Sequence, residues 1–214
     1  MNMNIYDDRP GKPITDTVPV PSMQSESPYV ELNEILANQV ELDDAVIYLN
    51  DEIGEHTLFD LMIRIRRTLK YRKGPEYKGP IDAPINLMIN SPGGDIHEMM
   101  GIIDYLNSLS VKINTVCRGR AFSAASIILT CGTGNRMVSK HSTIMFHQAS
   151  SMISGKMTDV TATVDFVKQV EGDIYKMLAS KTKKDVAWWK DQMRTDMYLT
   201  SSQALELGVV DQII

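Results

Sequence analysis

INLMINSPGGDI, Ile85 to Ile96, changes its periodicity in mid-stretch. Ile85 to Asn90 is a short apolar run of the kind that forms a buried strand. Ser91-Pro92-Gly93-Gly94 then forces a tight turn, because proline fixes its own backbone and glycine frees it. Beyond the turn, Ile96, Met99, Met100, Ile103 and Leu106 fall at helical spacing. The same strand–turn–helix grammar recurs on both sides. AVIYLN, Ala45 to Asn50, reads as a strand. A helix starting at Thr57 follows, with Leu58, Leu61, Met62, Ile65 and Leu69 on one face. Val111 to Cys117 reads as a strand leading into RGRAFSAASIILTCG, Arg118 to Gly132, with a helix over Ser123 to Leu129. Downstream come a strand over Thr143 to Gln148, a long helix carrying Val160, Val164, Val167, Ile174 and Leu178, and a helical stretch around Trp188 and Trp189. MYLT precedes a last helix, with Thr200 and Gln203 as its capping box and Gly208 as its stop. Short apolar strands between helices indicate an α/β protein with a mostly parallel sheet under helix cover.

A chain of 214 residues is long enough for one well-buried domain. It is 43% hydrophobic and 23% charged, with net charge −5, which disfavours a nucleic-acid role. The basic run Arg64 to Lys73 reads as a solvated helix face. Cys117 and Cys131 sit in apolar surroundings and read as free thiols in a reducing cytoplasm. The polar opening MNMNIYDDRP reads as no signal peptide, and no apolar run is long enough for a membrane span. Five of the nine prolines fall within residues 1–28. That segment reads as a flexible arm, and residues 29–214 as the single folded domain. KGPEYKGP, Lys73 to Pro80, reads as a surface loop.

Motif chemistry narrows the function. No G-x-G-x-x-G follows a strand, and no P-loop, H-E-x-x-H or paired C-x-x-C occurs. Dinucleotide, nucleotide and metal readings therefore have no support. Strand-to-helix turns expose backbone N–H groups that can hold an anion. Ser123 stands at such a turn beside the N–H of Ala124, a layout suited to an acyl-transfer nucleophile. A plain helix N-cap is the other reading of Ser123. Ser126 reads as a small residue for close packing. A base must come from His56, His97, His141 or His147. His147, ending an apolar strand, is as well suited to catalysis as to the core. Composition and periodicity select no acid.

Five segments in order resemble the Clp-type proteolytic subunit family, ClpP. They are INSPGGDI (Ile89 to Ile96), GRAFSAASIILTCG (Gly119 to Gly132), STIMFHQ (Ser142 to Gln148), SGKMTDV (Ser154 to Val160) and TDMYLTSSQALELGVVDQII (Thr195 to Ile214). The resemblance implies a ClpP/crotonase-like spiral of repeated β-β-α units with a protruding handle helix. It implies a serine endopeptidase with Ser123 as nucleophile, His147 as base and Asp196 as acid, and with the Gly94 and Ala124 N–H groups as the oxyanion hole. It implies no metal or cofactor, since ATP belongs to a Clp-family ATPase partner. Further implications are homo-oligomeric heptameric rings stacked in pairs, unfolded protein substrates, and no nucleic-acid or membrane partner. Four features depart from the family pattern. FSAAS replaces the common ASMGA. Thr195 stands where an arginine serves ring–ring contact. KGPEYKGPID is inserted. Asn86 and Met88 stand at positions usually held by tyrosines of the ATPase-docking pocket. Three rival readings share the fold or the assembly: a viral capsid-maturation protease, a non-catalytic subunit of a mixed Clp ring, and a crotonase-type acyl-CoA enzyme.

Overall fold

The computed structural model describes residues 39–149 and 155–214. The expected arm and the expected domain start at Tyr29 lie outside the described residues. Two short strands, β1 (Val40–Glu41) and β2 (Val46–Leu49), lead into helix α1 (Thr57–Tyr71). Two strand–helix units follow: β3 (Ile85–Ser91) with α2 (Ile96–Ser108), and β4 (Ile113–Phe122) with α3 (Ala124–Thr130). Then come β5 (Arg136–Val138), β6 (Thr143–Phe146) and the long helix α4 (Met157–Lys181). The chain closes with α5 (Val186–Gln192), β7 (Met197–Thr200), α6 (Ser201–Leu207) and β8 (Gln212–Ile213). β1–β2–α1 and β5–β6–α4 are β-β-α units of the expected kind.

The sheet runs β1-β2-β3-β4-β5-β8, and β6 and β7 branch from β4. Every pairing is parallel except β1 with β2 and β6 with β7. Along β3, Ile85, Leu87, Ile89 and Ser91 are buried, while Asn86 and Met88 are only half-buried. One face of the sheet therefore packs on the core, where Met99, Ile102 and Leu106 of α2 join Leu61 and Ile65 of α1. The other face is partly open here, so helix cover is less complete than the sequence led us to expect.

β4 is longer than expected, because it continues past Cys117 to Phe122. Its first part pairs with β5 and its last part with β6. The change of partner occurs at Gly119, whose φ is 100°. A Cβ there would come within 2.6 Å of Asn90 Oδ1. The Ser142 hydroxyl accepts from Gly119 N at 3.0 Å and donates to Cys117 O at 3.2 Å, which fixes the bend.

Three short strands, β1, β5 and β8, had no sequence signal. Arg72 corrects the solvated-face reading of the basic run. It is only 3% exposed, and its guanidinium donates to the carbonyls of Ala83 and Pro84 just ahead of β3. Cys117 and Cys131 are free and buried, and burial pushes both thiols up to about 11. The Thr200–Gln203 capping box forms, and Gly208 ends α6 at φ 76°. The first half of α4 is mostly exposed, and only Ile174, Tyr175 and Leu178 of the helix are fully buried. No helix among the described residues is long and apolar enough to cross a membrane.

Arg136 ties three chain ends together. Its guanidinium pairs with Asp211 and donates to Lys181 O at 2.8 Å and Gly208 O at 2.9 Å. The hydrogen bonds from Arg136 hold the Asp211 carboxyl below its ordinary range. A depressed folded-state pKa stabilises the fold above the unfolded value, and that gain is lost as pH falls through the folded value. Asp211→Asn should therefore lower the melting temperature at pH 7. Thermal scans across pH should show the gap to wild type closing as the solution is acidified below the carboxylate range.

Candidate active site

β4 pairs with β6 up to its last residue, and Ser123 N continues the ladder by donating to Met145 O at 2.8 Å. The chain then turns at once into α3. Ser123 takes up that turn at φ 52° and ψ −125°, a region that a residue with a Cβ adopts only under constraint. The constraint is visible. The Ser123 carbonyl accepts from Ser126 N at 3.0 Å, from Ile127 N at 3.4 Å and from the Ser126 hydroxyl at 2.6 Å. Ser126 is thus more than a packing residue, a role that no local sequence signal announced. Ser123 occupies the N-cap position but makes no side-chain cap bond. Its Oγ instead lies 2.8 Å from His147 Nε2.

His147 follows β6 directly. Phe146, just before it, packs at 4.9 Å between ring centroids against Trp189, which is fully buried in α5. After His147, Gln148 N donates to Met193 O at 2.8 Å, and Ala149 N donates to Glu171 Oε1 at 3.0 Å. The histidine backbone is therefore gripped from α4, α5 and the following turn. Asp196 lies just before β7, and the antiparallel register sets Met197 opposite Phe146. That register brings Asp196 Oδ1 to 3.3 Å from His147 Nδ1. The three side chains expected to act together do meet. His56, His97 and His141 do not line the Ser123 cleft. His97 instead stacks on Phe166 at 6.0 Å.

The glycine turn lies against Ser123. A Cβ on Gly93 would sit 2.4 Å from Phe122 O and 3.0 Å from Ala124 N. A Cβ on Gly94, whose φ is 144°, would sit 2.0 Å from Ile53 O. The turn is therefore wedged between Ile53 and the serine elbow, and both faces require glycine. Ile53 N donates to Gly93 O and Asp95 N donates to Ile53 O, at 2.8 and 2.7 Å. Those bonds bypass the N–H of Gly94. It and the N–H of Ala124 have no acceptor among the described residues. A narrow cleft opens beside Ser123, Ala124 and His147, lined by apolar Ile96, Met99, Ile127, Ile174 and Met193 and by polar Gln148, Glu171 and Tyr175. No cluster of metal-ligating side chains occurs among the described residues.

A family profile described as Clp protease matches residues 76–214, more than half of the chain. The chain belongs to the Clp protease family. It is 29% identical over 198 residues to an ATP-dependent Clp protease proteolytic subunit of Bacteroides fragilis, covering 88% of this chain and 90% of that relative. It is 33% identical over 174 residues to ATP-dependent Clp protease proteolytic subunit 1 of Prochlorococcus marinus, covering 81% of this chain and 85% of that one. A proteolytic subunit of Porphyromonas gingivalis is 27% identical over 172 residues. The protein is a Clp-type protease subunit with that family's α/β fold, which favours the protease reading over the acyl-CoA one.

Gly93 supplies a direct test of how this Clp-family site is built. Gly93→Ala must push the turn away from Phe122 O, the Ser123 Cβ and Ala124 N, while Ser123, His147 and Asp196 all remain in the chain. We expect a folded protein, by circular dichroism, whose rate of fluorophosphonate labelling falls at least about 10²-fold, the usual scale of one lost oxyanion donor. Labelling at the wild-type rate would show that the wedge does not set the site.

Proposed function

We propose that the chain is a serine endopeptidase that cleaves unfolded polypeptides through an acyl-enzyme. The observation that carries this reading is the 2.8 Å contact of Ser123 Oγ with His147 Nε2 at a backbone position held under strain. A serine that merely capped a helix would need neither. In the proposed reaction His147 Nε2 takes the Ser123 proton as Oγ attacks the scissile carbonyl. The carbonyl oxygen becomes an anion and is received by the N–H groups of Gly94 and Ala124. His147 then gives its proton to the leaving amine, and the carbonyl–nitrogen bond breaks. A water that loses its proton to His147 attacks the ester and frees Ser123. Asp196 holds Nδ1–H and favours the charged imidazole while it exists. The chemistry as proposed draws on the chain's own groups.

Ser123→Ala should abolish peptide hydrolysis and fluorophosphonate labelling, and the label on the wild type should map to Ser123. A label on Ser126, or activity retained in the purified variant, would refute the assignment. Asp196→Asn should keep the geometry but lower kcat by roughly 10²–10⁴, as expected when the wrong tautomer is favoured.

Assembly and partners belong to the same proposal. Val160, Val164 and Val167 run along the first half of α4, half-exposed or less, with Phe166 beside them 51% exposed. An apolar stripe on a projecting helix calls for cover, and homo-oligomeric rings of seven, stacked in pairs, would give it. The relatives' names describe ATP-dependent proteases, which supports a Clp-family ATPase partner for this chain. Asn86 Oδ1 accepts from Asn114 Nδ2 at 3.0 Å, so a polar pair stands where an apolar docking pocket would be expected. Such a pair weakens the docking of an apolar loop. Light scattering of the purified protein should give a mass many times 24.0 kDa. Titrating in a generic Clp ATPase should show weak association that strengthens in the Asn86→Tyr, Met88→Tyr double variant. A monomer, or tight association without gain in the variant, would reject this part.

A further inference from the structure

Pro92 brings no N–H, so the glycine turn presents the N–H groups of Gly93, Gly94 and Asp95. The first and the last of these are occupied. Asp95 N donates to Ile53 O at 2.7 Å. Gly93 N donates to the Ser91 hydroxyl at 3.1 Å. Ser91 is the last residue of β3 and is fully buried. Its hydroxyl also donates to Asp51 O at 2.6 Å. One side chain therefore gives and takes a hydrogen bond, and it ties the start of the turn to residues 51–53. Ile53 N completes the tie by donating to Gly93 O at 2.8 Å. The Gly93–Gly94 peptide is trans, so its carbonyl and its N–H point in opposite directions. With the carbonyl on Ile53, the Gly94 N–H faces away from Ile53, on the side of the serine elbow.

We propose that Ser91 is a positioning residue for the reaction: by holding the Gly93 N–H, it leaves the Gly94 N–H as the turn's one free donor and keeps it aimed at the Ser123 site. This rests on Ser123 being the nucleophile. The residue type fits the task. Asp51 O needs a donor and Gly93 N needs an acceptor, and a hydroxyl is both. Alanine would leave the two backbone groups unmet in a buried place, where native proteins pair such groups. The backbone can answer by rotating, because a positive φ such as the 91° of Gly93 is open to glycine over a wide range. The close approach of Gly93 and Gly94 to their neighbours fixes where the turn lies. The hydrogen bonds at Ser91 and Ile53 fix which N–H it presents. A donor that stabilises an oxyanion must already point to where the charge will develop. Losing that aim weakens the transition state more than the bound substrate.

The test compares the purified full-length protein with its Ser91→Ala variant, using a fluorogenic peptide as substrate and a peptide aldehyde as inhibitor. The aldehyde carbon takes Ser123 Oγ to give a tetrahedral adduct whose oxygen sits where the oxyanion would. Ser91→Ala should lower kcat at least about tenfold while KM stays within about twofold, the split expected when a donor used in the transition state is misaimed. Aldehyde affinity should fall by the same factor as kcat/KM. A serine that served only the fold would lower the melting temperature and leave kcat and aldehyde affinity unchanged in the folded variant. If Ser91→Ala fails to fold, Ser91→Cys carries the test, since a thiol is close in size but a weak donor and a weak acceptor. It should show the same split. A folded variant with wild-type kcat, or with reduced kcat but unmoved aldehyde affinity, overturns the inference while wild-type Ser123 still labels with fluorophosphonate. Failure of wild-type Ser123 to label overturns the catalytic reading, and this inference with it.

Discussion

The site depends on one residue held in a conformation it would not choose. Ser123 is kept at positive φ by the β4–β6 ladder reaching its N–H and by three donors from α3 converging on its carbonyl. Backbone strain of this kind costs roughly 1–3 kcal/mol and persists only where the surroundings over-determine it. Here they do, and the result is a side chain lifted out of the helix-capping role and turned toward His147. The bend at Gly119 is the upstream condition. Without it β4 would stay beside β5 and never reach β6, and β6 carries the chain to His147.

The serine and the glycine turn were legible because they announce themselves locally. Small residues crowd a strand-to-helix junction in one case, and proline followed by paired glycines does so in the other. His147 was half legible, since its place at the end of an apolar strand left a core role open. Asp196 was not legible from the residues at all, and only the family resemblance picked it out. Its contact depends on the antiparallel register of β6 and β7, a pairing between distant segments that no local period encodes. β1, β5 and β8 were missed for a related reason, since strands of two or three residues are too short to show alternation. Arg72 was misread because its neighbours are exposed. Its burial is set by carbonyls across the loop before β3, beyond the reach of a helical-face argument.

The glycines show how close packing serves chemistry. Gly93 and Gly94 leave no room for a methyl group on either side of their turn. The turn is therefore a spacer of fixed thickness between Ile53 and the serine elbow, and it presents the Gly94 N–H without consuming it. The same economy appears at His147, where the bonds from Gln148 and Ala149 fix the backbone and leave both ring nitrogens for Ser123 and Asp196.

Asp196 reaches His147 through β7, and β7 follows both Ser123 and His147 in the chain. A chain emerging from the ribosome holds its serine and histidine well before Asp196 has been added and before β7 can pair with β6. Until then the imidazole has no carboxylate to orient it, and Arg136 has no Asp211 to close the sheet's far edge. The order of the sequence thus acts as a timer. Until β7 is made, the nascent chain holds Ser123 and His147 without the carboxylate that Asp196 sets beside His147.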